Sequence, residues 1–260
     1  DVEISHEPVV KTEDPIVDNW FSREGGIVVG SAIYVSGTSG AGKTTKMVNL
    51  MKRLKNQVSS MYLREMESRH VKYQTSNIKF DHNNAYVCDA SKCPTFDDYL
   101  KELDALKPKF VLVDSLQVIA LEDYALKNIM TEEAACYHII KTLREWCSAN
   151  NATLFLIGHN TKDGNFAGRN TIIQMMDAHI EMVHDKKTDT RTMSWGQKNR
   201  KGPMGTLYYI FGNDGMEFFT EEMWNSRTQP MDFQQNFITF VSNYIKKLNP
   251  QNETHAKFLA

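Results

Sequence analysis

The sequence predicts an α/β fold: a mostly parallel, twisted β-sheet flanked by helices, with a C-terminal antiparallel hairpin region and a helical tail. Three observations carry this. Gly37-Thr38-Ser39-Gly40-Ala41-Gly42-Lys43-Thr44 fits the phosphate-binding pattern G-x-x-x-x-G-K-[ST]. The apolar run Ala32-Ile33-Tyr34-Val35 precedes it and a helical stretch from Lys43 to Met51 follows, the strand–loop–helix setting such a loop requires. Short apolar runs then alternate with helix-period segments, as strand–helix–strand crossovers do.

Composition sets the bounds. The 260 residues are enough for one large α/β domain with short appendages. Apolar residues are 41% and charged residues 24%, ordinary for a globular chain. The net charge of −2 gives no global basic signature, so contact with nucleic acid would need a local cationic patch. No apolar run approaches the roughly 20 residues of a membrane span. No signal peptide is evident, and a first residue of Asp1 reads as a processed or truncated start. Cys88, Cys93, Cys136 and Cys147 show no C-x-x-C spacing, which argues against a zinc ribbon. They are expected to be reduced, buried thiols of a cytoplasmic protein.

Residues 1–24 are expected to form an arm or linker. Asp1 to about Asp18, with Pro8 and Pro15, reads as extended chain without a core, tethered by Val17-Asp18-Asn19-Trp20-Phe21. The core is expected over 25–218. In the phosphate loop, the glycines let the backbone curl so that N–H groups face an anion, and the helix N-terminus adds its positive dipole end. Gly37 to Thr44, with Thr45, would bind the phosphates of ATP. Lys43 would reach the β- and γ-phosphates, and the Thr44 hydroxyl would bind Mg²⁺. The following helix runs to about Asn56.

Met61-Tyr62-Leu63 reads as the next strand, ending in Arg64-Glu65-Met66-Glu67-Ser68. An acid just past a strand beside the loop is where a water-activating base would sit, and Glu65 and Glu67 both qualify. Ala85-Tyr86-Val87 is a third strand candidate. A helix is expected from Thr95, its cap, to about Leu106, with Asp97 and Asp98 in the first turn. Phe110 to Val113 then forms a buried strand ending in Asp114, which would hold the Mg²⁺ shell opposite Thr44. Ala120 to Met130 shows no clear period and predicts a mobile loop. Thr131 to Ala149 predicts a helix, with His138 on it as a packing or surface residue.

Leu154 to His159 is a further strand, with His159 on the same edge as Asp114. Asn160 to Asn170 is polar and glycine-rich; Lys162, Phe166 and Arg169 suit a single-stranded nucleic-acid backbone, or a solvated turn. Ile172 to Met176 makes a helical turn. Ile180–Val183 and Thr190–Trp195 form a hairpin across 185–189, and Thr206–Phe211 is a last strand before the turn Gly212-Asn213-Asp214-Gly215. Residues 219–260 form a helical extension in which Phe233, Phe237, Phe240, Val241, Tyr244, Ile245 and Leu248 recur at helical spacing.

With these pieces placed, the chain resembles the RecA-type ATPases, and most closely the bacterial RadA (Sms) family of recombination helicases. Gly25 to Ser31 looks like that family's lead-in, and Val113-Asp114-Ser115-Leu116-Gln117-Val118 like its magnesium strand. Gly158 to Gly164, with Ala167-Gly168, is similar to its loop beside the γ-phosphate. Lys198-Asn199-Arg200-Lys201-Gly202 resembles its K-N-R-F-G motif, with Lys201 in place of Phe. The family's zinc module and protease-like C-terminal domain have no counterpart in the likeness. Leu63 to Ser68 is as similar to the L-E-M of DnaB-type replicative helicases. That register selects Glu65 as the base, whereas a strict ungapped RadA register puts Met66 at the catalytic position and matches Glu67 to the family's second glutamate.

The resemblance implies a RecA-like core in a homo-oligomer, a hexameric ring that hydrolyses ATP with Mg²⁺ and moves on single-stranded DNA, without a membrane. Lys198 and Arg200 would reach the γ-phosphate of a neighbour's ATP, and His159 would report the state of its own. A cytoplasmic, nucleoid-associated location follows. Two alternatives stand beside this: a DnaB-like replicative motor, and a KaiC-like signalling or scaffold oligomer, switched by ATP and indifferent to DNA.

Overall fold

The computed structural model describes residues 7–54, 57–64, 84–158, 169–212 and 215–228. In chain order the elements are β1 (Val9–Val10), α1 (Pro15–Phe21), β2 (Ile27–Val28), β3 (Ala32–Gly37), α2 (Lys43–Leu54), β4 (Ser60–Arg64) and β5 (Ala85–Asp89). Then follow α3 (Phe96–Leu106), β6 (Phe110–Asp114), α4 (Leu116–Ile119), a π-helix (Ala120–Ala125), α5 (Glu132–Asn150), β7 (Thr153–Ile157) and α6 (Arg169–Met175). The last are β8 (Ala178–Asp185), β9 (Thr190–Asn199), β10 (Gly205–Gly212), β11 (Gly215–Phe219) and α7 (Glu221–Thr228).

Nine strands make one sheet in the order β11-β10-β9-β8-β3-β7-β6-β4-β5. From β5 to β8 neighbours run parallel, and from β8 to β11 antiparallel. The parallel strands read as unbroken apolar runs because helices cover both faces. In β6, Phe110 and Leu112 join the layer beneath α1 and α2, while Val111 and Val113 join the layer beneath α3 and α5. The two layers centre on Met47, Met51, Phe155 and Trp195 on one side and on Tyr99, Leu103, Ile139 and Leu143 on the other.

Four sequence expectations are corrected. The segment read as an extended arm is folded: β1 pairs with β2, and α1 sends Val17 and Phe21 into the core, with Trp20 5.6 Å from Trp195. Asp14-Pro15, which also reads as extended chain, is an N-cap followed by a first-turn proline; the Asp14 carboxylate accepts the N–H groups of Ile16 and Val17. Ala120–Met130 is ordered up to residue 125 as the π-helix, in which Leu126 N–H donates to Leu121 O at 2.9 Å. The wider turn spoils the 3.6-residue period, so periodicity could not show it. Tyr124 on this turn packs against Phe96 and His138. The strand after Phe211 was not foreseen: β11 pairs with β10, with Gly212 opposite Gly215. Finally, Cys88 and Cys93 form a disulfide with Cα atoms 6.1 Å apart, where reduced thiols were expected; β5 turns back toward α3 and brings them together. Cys136 and Cys147 are buried and free, and burial pushes both thiols up to about 12.

The helix starts match more closely. Thr95 caps α3 in a reciprocal pair with Asp98, and Thr131 caps α5 by accepting Ala134 N–H. Residues 1–221 form one compact unit and 222–260 a second. The amphipathic stretch from Phe233 to Leu248 lies outside the described residues. No described helix is long and apolar enough to cross a membrane.

Candidate functional site

The phosphate loop sits where β3 ends and α2 begins. Gly37 passes so close to β8 that a Cβ there would lie 1.8 Å from the Met182 carbonyl oxygen, which only glycine permits. Thr38 N–H donates to Met182 O at 3.0 Å, and Thr38 Oγ1 accepts His184 N–H at 3.0 Å, so the loop is stitched to β8. From β10, two strands beyond β8, the Tyr209 hydroxyl donates to Ala41 O. Gly42, at φ +87°, leaves room for the Phe211 ring. Lys43 is 6% exposed, and its ammonium donates to the carbonyls of Gly37 at 2.9 Å and Thr38 at 3.1 Å. The orphan N–H groups and positive dipole end of α2 meet at this turn, the arrangement that suits an anion.

Opposite the loop, β6 ends in Asp114, which is fully buried. Its Oδ2 accepts the Thr44 hydroxyl at 2.6 Å and the Tyr62 hydroxyl at 3.2 Å, and its peptide bond to Ser115 is cis. A hydroxyl and a carboxylate in one niche form the hard-oxygen donor set that Mg²⁺ takes alongside phosphate oxygens and water. No cluster of three or more His, Cys, Asp or Glu that could hold a metal by itself occurs among the described residues. The residues therefore fit an ion shared with a nucleotide.

β4 ends at Arg64, whose backbone is in register with Asp114. Glu65 and its alternative Glu67 follow, outside the described residues, as do His159, Lys162 and Phe166. Arg169 opens α6, with its side chain also outside them.

Lys198 and Arg200 stand apart from this group. Gly37 is opposite Met182 and Ile33 opposite Ala178, and Ala178 in turn faces Asn199. Lys198 faces His179, itself opposite Tyr34, so the two cations lie toward the Ala32 end of β3, roughly 10–17 Å along the strands from Gly37 at about 3.3 Å per residue. Lys198 Nζ donates to the carbonyls of Ile173 at 3.0 Å and Gln174 at 2.7 Å. Burial first, and the Arg200 charge second, hold its pKa below the usual lysine value. The Arg200 guanidinium meets Asp177 Oδ1 at 3.3 Å, and Lys201 pairs with Glu7.

Sequence reasoning missed three residues. Tyr62 was read only as part of a strand; a hydroxyl amid the short apolar run beside the acidic strand was the available signal. Phe211, 45% exposed beside Gly42 and with the Arg191 guanidinium 5.2 Å from its ring centroid, gave no local signal. Lys46, one turn into α2, is buried with Nζ 3.9 Å over the Phe218 ring, and desolvation pushes it down to about 7.

A phosphate loop after a central parallel strand, an acidic neighbouring strand and an antiparallel wing define a RecA-type phosphate-loop ATPase fold. A solved KaiC-like protein from Pyrococcus horikoshii shares it, with a TM-score of 0.67 at 18% identity, covering 83% of this chain and all of that one. By sequence the chain is related to RadA: it is 28% identical over 189 residues to the DNA repair protein RadA of Haemophilus influenzae, and 26% over 187 residues to that of Escherichia coli K12. These matches take in 72% and 70% of this chain but 40% and 39% of the relatives, so it spans about two fifths of their length. No family model matches it.

Proposed function

We propose that this chain is the ATP-hydrolysing motor core of a homo-oligomer, a hexameric ring in its simplest form, that acts on single-stranded DNA in recombination or repair. The observation that carries the reading is the placement of Lys198 and Arg200 on the sheet edge opposite the phosphate loop. They are too far away to serve their own nucleotide, so they serve a neighbour's, supplying cations where charge develops on the γ-phosphoryl.

Within one subunit, Lys43 leaves the loop carbonyls for the β- and γ-phosphates, and Thr44 and Asp114 hold Mg²⁺. When bound, Mg²⁺ neutralises phosphate charge. Tyr62 fixes the Asp114 carboxylate by donating its hydroxyl. Glu65 polarises the attacking water. The half-exposed Phe211 offers a stacking face to the base. His159 passes the γ-phosphate state to the following loop, where Lys162, Phe166 and Arg169 hold DNA.

The deciding experiment is ATP hydrolysis with and without single-stranded DNA, beside a Lys43→Ala control. Stimulation that vanishes in the control supports the motor. Hydrolysis unaffected by DNA, with assembly driven by ATP, selects the KaiC-like switch instead, a reading favoured by the net charge of −2. Unwinding polarity separates a DnaB-like replicative motor from a recombination helicase.

A further inference from the structure

The sheet edge opposite the phosphate loop gathers more positive charge than it balances. Asp177, just before β8, accepts Ala32 N–H on Oδ2 at 2.9 Å and Arg200 on Oδ1 at 3.3 Å. A second guanidinium, that of Arg144 on α5, approaches Oδ2 at 3.9 Å. Lys198 is close enough that Arg200 and Arg144 both act on it, with Asp177 the one carboxylate that opposes them. Three cations therefore share one acid among the described residues. Repulsion of this kind persists where an incoming anion relieves it. Both guanidiniums can be reached, with Arg200 side-chain exposure at 55% and Arg144 at 35%.

We propose that Arg144 is a third cation presented to the phosphates of the neighbouring subunit's nucleotide, held beside Arg200 by the Asp177 carboxylate. This rests on the reading of Lys198 and Arg200 as acting across the interface. Asp177 is a positioning residue: it occupies one flank of each guanidinium and leaves the other N–H groups of the planar fork for phosphate oxygens. No bond is made or broken by Arg144; it contributes charge and direction.

The test uses the full chain and subunit mixing. A Lys43→Ala subunit has a defective loop and an intact opposite edge, and an Arg144→Ala subunit has the reverse. Each is inactive or slow alone. Mixed, they form interfaces that pair an intact loop with an intact cation edge, and hydrolysis rises several-fold above the sum of the separate preparations. Arg200→Ala mixed with Lys43→Ala is run in parallel, and Arg144→Lys, which keeps charge without the fork, gives an intermediate rate. If Arg200→Ala complements while Arg144→Ala does not, or if Arg144→Ala alone keeps the full rate, the assignment of Arg144 is overturned and the cross-interface reading stands. If neither complements, that reading falls and takes Arg144 with it. Thermal unfolding checks the fold, and Arg144→Gln, which keeps the side-chain stem, replaces Arg144→Ala in the mixing if the alanine variant melts early.

Discussion

The two edges of the sheet handle charge in opposite ways. At the loop edge, Lys43 and Asp114 are buried and answered within the chain, by two backbone carbonyls and by two hydroxyls. At the other edge, Arg144 and Arg200 share Asp177 and keep much of their surface in solvent. On the proposed reading the first edge is one half of a nucleotide site, and the second carries cations for the other half of a neighbour's site. β3 joins them, so one strand fixes the distance between the two halves.

Substitutions can break this contrast. Lys43→Ala should abolish both turnover and tight nucleotide binding, read by phosphate release and by nucleotide titration. Arg200→Ala should lower turnover by about 10³-fold, in the range of an arginine finger, with nucleotide affinity changed by no more than a few-fold. Equal loss of affinity in the two variants would erase the distinction between edges. Phe21→Ala tests the frame between them, since Phe21 packs edge-on against both Phe155 and Trp195. A loss of about 3–5 kcal/mol in denaturant titration is expected, as for a buried aromatic elsewhere. Tyr62→Phe removes one hydroxyl from Asp114 and should cost about 1 kcal/mol, seen as a modest drop in turnover with the fold intact.

A further effect concerns pH. Burial lowers Lys46 from its usual 10.5 to about 7. Between those values the unfolded chain binds more protons than the folded one, so stability rises as pH increases from about 7 to 10.5. Lys46→Met should flatten that rise in melting temperature against pH. An unchanged slope would place the titrating group elsewhere.

The loop and the acidic strand were legible in sequence because each is a contiguous motif whose flanking residues state its context. The sheet was legible for the same reason: Phe110 to Val113 and Leu154 to Ile157 are short apolar runs of the kind that strands covered on both faces carry. What stayed hidden depends on distance or ambiguity. Tyr62 meets Asp114 across 52 residues, and Arg144 on α5 meets Asp177 from a distant part of the chain. Asp14-Pro15 serves an arm or a helix cap equally well until Val17 and Phe21 are seen to be buried. The π-helix erased the only periodicity that could have revealed it. Glu65 and His159 were chosen by their place at strand ends together with resemblance, and they lie outside the described residues.

The separation of loop from cations has a consequence for dosage. On the proposed reading, an open row of subunits leaves one loop unanswered at its end, and closing the row answers every loop. Total activity would then count junctions rather than molecules, and would fall on dilution faster than concentration itself. It also makes injury travel: a subunit that has lost Arg200 keeps its own chemistry and silences the intact neighbour it should have served. Each such subunit silences one site, so activity falls in proportion to its share, yet the sites that fail belong to intact chains.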